Sequence, residues 1–566
     1  MGTLLYCNSS GDGRPDKASL PLIKDGVKVL FLDCSARGLE EFPLVLLQLE
    51  YLEELHLERN LIQALPQEVG LLQKLQVLYL QENCLNHVCE ELGQLSQLRS
   101  LDLSNNPVAS SERGPLMVAV QRLSELRELR LHGLGLTEFS DGICKTLHKL
   151  ELLGLSGNRL ATLPTEISNL RCLREIYLRG NRLEALPTGL GDLPCLEIVD
   201  VGHNSLVSLN HVACGRSWRK LFLGFNGFSS FPKSLCHLDQ LTILDISHNG
   251  LTRLPRAFHT LTSLVELGLS NNPLRTFPPQ ICRLPSLQVL YLRNTKLSGL
   301  HPNFSDLHKV QVLDLSQNRF SEFPTEICSL ISLEQLSFDD NYLKEIPVSI
   351  KALSMLKCLG LTGNQFPSFP EGVCGLQSLE RLFLGQDQGL KLTSVHEGIS
   401  QLQSLRELYL ENNSIKCLPE SVGDLQRLEI LDCHSNQLTT IPDALCCLNG
   451  LAELRLQGNR LSHLSHRVTQ LQSLKVLLLE GNPLTDPPSE VCEQGLAAIK
   501  QYLQEKARLF TKATKIQAWW RGVMVRRRLG PFKRLESNKK GKQKKGKGKK
   551  KKPAGKAKKG ANKKTK

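Results

Sequence analysis

The sequence predicts an α/β solenoid, a curved stack of short repeats with one long parallel sheet on its concave side. Three observations carry this. A nine-residue phrase, L-x-x-L-x-L-x-x-N, returns along most of the 566 residues: LQVLYLQEN at 75–83, LTILDISHN at 241–249, LKVLLLEGN at 474–482. Twenty copies lie between about residue 27 and residue 490, and fifteen of their nineteen intervals are 23 residues long. A second half, x-L-x-x-L-P, follows the phrase, as at Leu163-Pro164 and Ile441-Pro442. Units of this length cannot bury an apolar face alone. They do so by stacking, so the usual division of a long chain into globular domains does not apply.

In chain order, residues 1–26 form an N-terminal flank. MGTLLYCNSSGDGRPDK has no basic region leading into an apolar run, so no secretion signal is expected. Gly2 invites myristoylation, but Tyr6 stands where that pattern wants Ser or Thr. No run approaches eighteen apolar residues, so no helix is expected to span a membrane. The expectation is a reduced, cytoplasmic chain. Eighteen cysteines fit it: Cys236, Cys282, Cys328 and Cys374 recur every 46 residues, as do Cys446 and Cys492. Equivalent positions two repeats apart lie roughly 10 Å apart, too far for a disulfide. Each reads as a small buried hydrophobe. No Cys-x-x-Cys or His-rich set suggests a metal, and no cofactor is implied.

The repeat array covers 27–490. Leu-x-Leu alternation is a three- to four-residue strand, leucines inward and intervening residues outward. The asparagine closes the strand, where its amide can satisfy backbone groups of neighbouring turns. Arg37, Leu134, Thr295 and Asp387 replace it in four copies. Intervals of 28 and 26 residues place insertions near 107–125 and 388–400. The proline half delays a regular helix, so this arm should be a 3₁₀ turn or one or two helical turns. A narrow strand side and wider helical side curve the stack. Twenty strands at roughly 4.8 Å give a concave sheet about 100 Å along its arc.

Charge is divided sharply. Residues 533–566 hold seventeen lysines and Arg534 against Glu536, a net of +17, and 512–532 add +6. Since the chain totals +14, residues 1–511 stand at −9: an acidic array with a basic end. The tail, 531–566, has little apolar surface to bury and is expected to be disordered. Nuclear import, nonspecific nucleic-acid contact or an anionic surface would all use such lysines, and charge does not choose among them.

One outward column, four residues before each asparagine, is the centre of the concave strand. It reads Tyr79, Tyr177, Phe222, Tyr291, Phe383 and Tyr409, interleaved with Asp102, Asp200, Asp245, Asp314 and Asp432. Aromatics do favour strands. Aromatics flanked by acids, however, suit a recognition surface for a basic or amphipathic protein partner.

The 23-residue L-P-x-x-L frame resembles the intracellular leucine-rich repeats of the Ras-signalling scaffold and Scribble-like group. The closing segment NPLTDPPSEVCEQGLAAIKQYLQE resembles that group's cap, through Asn482, Pro483, Pro487, Pro488, Gly495, Ile499, Tyr502 and Leu503. The resemblance implies a cap helix over 491–510. A small GTPase or a phosphatase-type signalling protein would be the kind of ligand expected on the concave face.

Residues 511–530 carry the last motif. Ile516, Gln517, Arg521, Gly522, Arg526 and Leu529 fill every position of [ILV]-Q-x-x-x-R-G-x-x-x-[RK]-x-x-apolar, which resembles the IQ motif. Ile516, Trp520 and Val523 fall on one helical face, the geometry of a basic amphipathic helix gripped by an acidic EF-hand protein. The resemblance implies that Gln517 bonds to a linker of the gripping lobe and that Gly522 admits the second lobe. Arg521 and Arg526 would pair with its carboxylates, and the partner would be calmodulin or an EF-hand light chain held without a calcium requirement. No proline or glycine lies between Gly495 and Gly522, so cap helix and IQ helix are expected to run on as one.

The layout over 27–530 resembles the leucine-rich repeat and IQ domain-containing proteins. That resemblance implies ciliated-cell or cytoskeletal settings. No Walker A, kinase, GxSxG or HExxH pattern is present. The expectation is therefore a non-enzymatic scaffold, with a nonspecific nucleic-acid or chromatin-associated protein as the alternative.

Overall fold

The computed structural model describes residues 3–6, 28–209 and 214–527. Leu529, the lysine tail at 531–566 and most of the 1–26 flank lie outside the described residues, so the expected disorder of the tail does too. The chain divides at Asp486 into the repeat array and a C-terminal helical unit.

Each phrase folds as its alternation requires. Val77–Tyr79 is a three-residue strand in which Leu78 is fully buried while Val77 and Tyr79 face outward. Among the described residues, twenty-one such strands make one parallel sheet. Equivalent positions align across it, so that Tyr79 opposes Asp102 and Asp200 lies between Tyr177 and Phe222. The sheet has one strand more than the repeats. Its first strand, β1 (Thr3–Tyr6), lies in the flank and pairs in parallel with β2 (Val29–Asp33). Four residues are too few to show a period, so no repeat signal marks it.

The turn after each strand is fixed by two residues. The one just before the asparagine position adopts φ of +51° to +71° in nineteen of the twenty copies. The asparagine then points inward. Asn318 donates to Leu292 O (2.8 Å) and Leu315 O (2.9 Å), and its Oδ1 accepts from Thr295 N and Leu297 N at 3.0 Å. Each of the sixteen asparagines in this position thus ties its repeat to the one before it by a side chain that replaces lost water. The exception is Gln386, the one residue of that column outside the positive-φ set. Asp387 turns outward to accept from Asn412 Nδ2 (2.6 Å), and Gln386 is fully buried with neither amide atom bonded. This is where the 26-residue interval falls.

The return arms are tight. Sixteen of them are five-residue 3₁₀ helices, most entered through proline, as at Pro164 before Thr165–Asn169. The 28-residue interval instead accommodates an α-helix, α1 (Arg113–Gln121), followed by α2 (Asp141–Thr146), whose Ser140 caps Gly142 N at 3.2 Å. Leucine supplies most of the core. From Trp218 to Phe366, however, its largest buried side chains are aromatic, with Phe231 edge-on to Phe258 and Phe277 edge-on to Phe304, both at 5.2 Å. Cys236, Cys282, Cys374 and Cys446 are buried, whereas Cys328 and Cys492 are half-buried; none of the six is in a disulfide. Burial pushes the Cys446 thiol up to about 12.

In the second unit, α3 (Ser489–Cys492) precedes α4 (Leu496–Arg526), and Gly495 at φ +89° separates the two. Thirty-one residues run uninterrupted through α4, about 46 Å at 1.5 Å per residue. No described helix is long and apolar enough to cross a membrane.

Candidate partner-binding surfaces

Three columns face outward along the sheet, two, four and six residues before each asparagine position. They hold sixteen Asp and Glu against six Lys and Arg, a net of −10, so the whole acidity of the array resides on this face. One column further, at the sheet's edge, six acids alternate with seven bases and pair across strands. Arg127 meets Glu151 at 2.8 Å, Arg174 meets Glu197 at 2.9 Å and Lys357 meets Glu334 at 2.6 Å.

The central column is as aromatic as expected but less exposed. Only Tyr291 reaches 36% exposure, while Tyr79, Tyr177, Phe222, Phe383 and Tyr409 are half-buried among their neighbours. Phe383 and Tyr409 stack face to face at 4.6 Å. Tyr177 donates to Glu175 at 2.8 Å; burial, then that bond, pushes its hydroxyl up to about 12. The aspartates fix their own turns. Asp200 Oδ1 accepts from Gly202 N (3.0 Å), Asp245 Oδ1 from Ser247 N (2.9 Å) and Asp314 Oδ1 from Ser316 N (2.9 Å). Two others are not free to receive a partner: Asp102 is buried, and Asp432 is buried between His434 (2.7 Å) and Arg455 (3.3 Å). Burial raises the Asp200 carboxyl, with Asp245 adding to the shift.

The structure adds a feature that the column reading missed. Phe225 sits in the positive-φ turn at +57°, is 41% exposed, and lies between His203 (3.8 Å) and His248 (3.6 Å) in a parallel stack. Burial holds both imidazoles below their usual range, so they are neutral near pH 7. Reading the residue before each asparagine, where Gly and Asn are common, would have singled out this Phe.

On α4, Ile516 (64%), Trp519 (61%), Trp520 (54%) and Val525 are exposed, preceded by exposed Leu509 and Phe510. Gln517, Arg521 and Arg526 are also exposed, and Val523 is half-buried. A Cβ on Gly522 would meet nothing nearer than Arg526 Nη2 at 3.6 Å, so the helix surface is open there. At 100° per residue, Leu509, Ile516, Trp520 and Val523 form one stripe and Trp519 stands beside it, about 40° from Val523. The apolar stripe begins almost two turns before the motif.

Comparison with known proteins agrees with this layout. Leucine rich repeat matches cover 50–108, 124–183, 216–274 and 403–461, a Leucine-rich repeat region covers 301–411, and an IQ calmodulin-binding motif covers 511–530. Over 150 residues the chain is 49% identical to Leucine-rich repeat and IQ domain-containing protein 4 of Mus musculus and 47% identical to that of Homo sapiens. Those alignments take in 26% of this chain and 24% and 26% of the relatives, so the chain spans about a quarter of their length. A leucine-rich repeat protein of Leptospira interrogans superposes with TM-score 0.55 at 29% identity, covering 80% of this chain and 96% of that one. A plant peptide hormone receptor, RGFR1, in complex with RGF2, also gives 0.55, at 25% identity, over 81% and 79%.

Proposed function

We propose, for a chain that is a leucine-rich repeat protein carrying an IQ motif, that it acts as a non-enzymatic scaffold with two binding surfaces. The sheet face takes a protein ligand, and α4 holds calmodulin or a related EF-hand protein. The observation that carries this reading is a pair of surfaces left open at the cost of order. One is a net −10 sheet face bearing Tyr177, Phe222, Tyr291, Asp200, Asp245 and Asp314; the other is a helix with its tryptophans in water. Exposed apolar area of that size marks an interaction site.

On α4, Ile516 and Trp520 are the anchors, Arg521 and Arg526 face carboxylates, and Gly522 admits a lobe. Support for the face comes from the similar plant peptide hormone receptor RGFR1, whose structure is a complex with RGF2. In this reading the lysine tail contributes location in the cytoplasm, the nucleus or along the cytoskeleton. Its nonspecific attraction to polyanions is the alternative basis of function.

The test is proximity labelling in cells with the intact chain and with Tyr177→Ala, Phe222→Ala and Tyr291→Ala combined. Loss of a discrete set of neighbours, with calmodulin retained, is expected. An unchanged set removes the face from the function.

A further inference from the structure

Between Tyr177 and Asp314 the open face has relief. Two residues before the asparagine position, successive strands carry Gly202, Gly224, Ser247 and Ser270, with Arg179 before them and Arg293 after. At about 4.8 Å per strand this is a floor of small residues roughly 19 Å long, with Arg293 beyond one end and Arg179 reaching over the other, its Nη1 3.4 Å from where a Cβ on Gly202 would stand. One wall is the central column, with Tyr177, Asp200, Phe222, Asp245 and Tyr291. The other is the His203–Phe225–His248 stack, continued by Asn271, which donates to His248 Nε2 at 2.8 Å. The Asp245 carboxylate leans over the floor: its Oδ2 would lie 3.0 Å from a Cβ on Gly224. Glu175, Asp200, Asp245, Glu266 and Asp314 line this stretch, and among the described residues none of the five forms an ion pair. The edge column shows that strands at this spacing pair charges readily, so the excess is a property of the face and not of the fold.

We infer that this groove docks an extended, arginine- or lysine-bearing segment of another protein, its backbone over Gly202 and Gly224 and two cationic side chains over Asp200 and Asp245. The inference rests on the proposed role of the face in capturing a protein. Charge complementarity selects the ligand's sign, and Phe225, its faces covered by His203 and His248, offers an exposed ring edge to the aliphatic stem of a long side chain. Spacing selects its form. Asp200 and Asp245 stand two strands apart, about 9.6 Å. A polyproline II segment returns to the same face every three residues, about 9.3 Å. The ligand therefore places its cations three residues apart.

The experiment is fluorescence anisotropy of the full chain with two labelled octapeptides of alanine and proline, one with arginine at positions 3 and 6, the other at positions 4 and 5. Both are also run with a chain lacking 533–566, whose lysines share the ligand's chemistry. The spaced peptide is expected to bind at least about fivefold more tightly. Asp200→Asn with Asp245→Asn keeps both acceptors for Gly202 and Ser247 and is expected to weaken it at least about tenfold. Phe225→Asn, a residue suited to positive φ, is expected to weaken it with no loss of melting temperature. Equal binding of the two peptides, or by the asparagine pair, overturns the inference but leaves an acidic face that attracts cations. Binding by the shortened chain alone makes the chain's own lysines the occupant and overturns the choice of a separate protein. No binding at all overturns the groove, and the labelling experiment above then decides the face independently.

Discussion

The array and α4 use apolar residues in opposite ways. In the array, the leucines of the phrase are buried almost completely from Leu55 to Leu454, and what remains exposed is scattered. In α4, only Ile499 and Leu503 are buried, and Leu509, Phe510, Ile516, Trp519, Trp520 and Val525 stand in solvent over seventeen residues. A fold able to hide leucines that thoroughly sets the standard by which the helix is judged. Apolar area here is either core or contact, and the proposed function makes that of α4 contact. The array's residues should therefore govern stability and leave calmodulin binding alone, whereas those of α4 should do the reverse.

The largest effect tests that division directly. Ile516→Glu with Trp520→Glu puts two carboxylates on the stripe where an acidic lobe would sit. Titration of the full chain with calcium-free and calcium-loaded calmodulin should show at least about a 100-fold loss of affinity, about 2.7 kcal/mol, as expected for two anchor residues. The array's melting temperature should not move. A lowered melting temperature at intact affinity would make these side chains core and abolish the contrast.

A smaller effect is expected inside the array. Asn318→Ala removes one side chain that serves five backbone groups, leaving Leu297 N and Thr295 N buried without their acceptor. The loss should be about 1–3 kcal/mol, read by chemical denaturation, with calmodulin affinity unchanged. Stability equal to the wild type would mean that water enters the turn and that the ladder is not what ties repeat to repeat.

How far these roles could be read beforehand depended on whether a residue's environment repeats. The strand, the asparagine and the proline arm recur with a constant period, so their places were legible down to the four copies without asparagine. Gln386 was not: Asp387 marks the missing asparagine, but only the chain's path shows that the neighbouring side chain fills the gap. The phenylalanine core near 218–366 was hidden because an inward Phe and an inward Leu satisfy the same pattern. On the face, the column supplied Tyr177, Phe222 and Tyr291 as outward residues of the sheet, which is where they lie. It could not show that Asp432 is spent on Arg455, nor that Phe225, off the column by three residues, is the more exposed aromatic. Side-chain pairing across strands depends on rotamers, which have no period. For the IQ segment, the motif gave the residues and the absence of helix breakers gave the continuous helix. The early start of the apolar stripe at Leu509 needed the exposures.

The smallest effects separate the two kinds of charge on the array. Lys357→Ala breaks an edge pair whose partners are both largely in water, and no measurable change in melting temperature is expected. Asp200 and Asp339 are different, because burial raises both carboxyls above their ordinary value, with like charges adding to it. A raised carboxyl favours the folded state only while it holds its proton, so each group's contribution is complete below the unfolded value, near 3.9. It is lost as pH rises through the folded one. Asp200→Asn with Asp339→Asn should accordingly melt higher than the wild type at pH 7, and the difference should shrink toward zero as the pH falls below about 4. A gain that persists unchanged at low pH would trace to packing. A loss at pH 7 would show that these carboxylates stabilise the face they crowd, which would remove the case for a cationic ligand as the agent that relieves them.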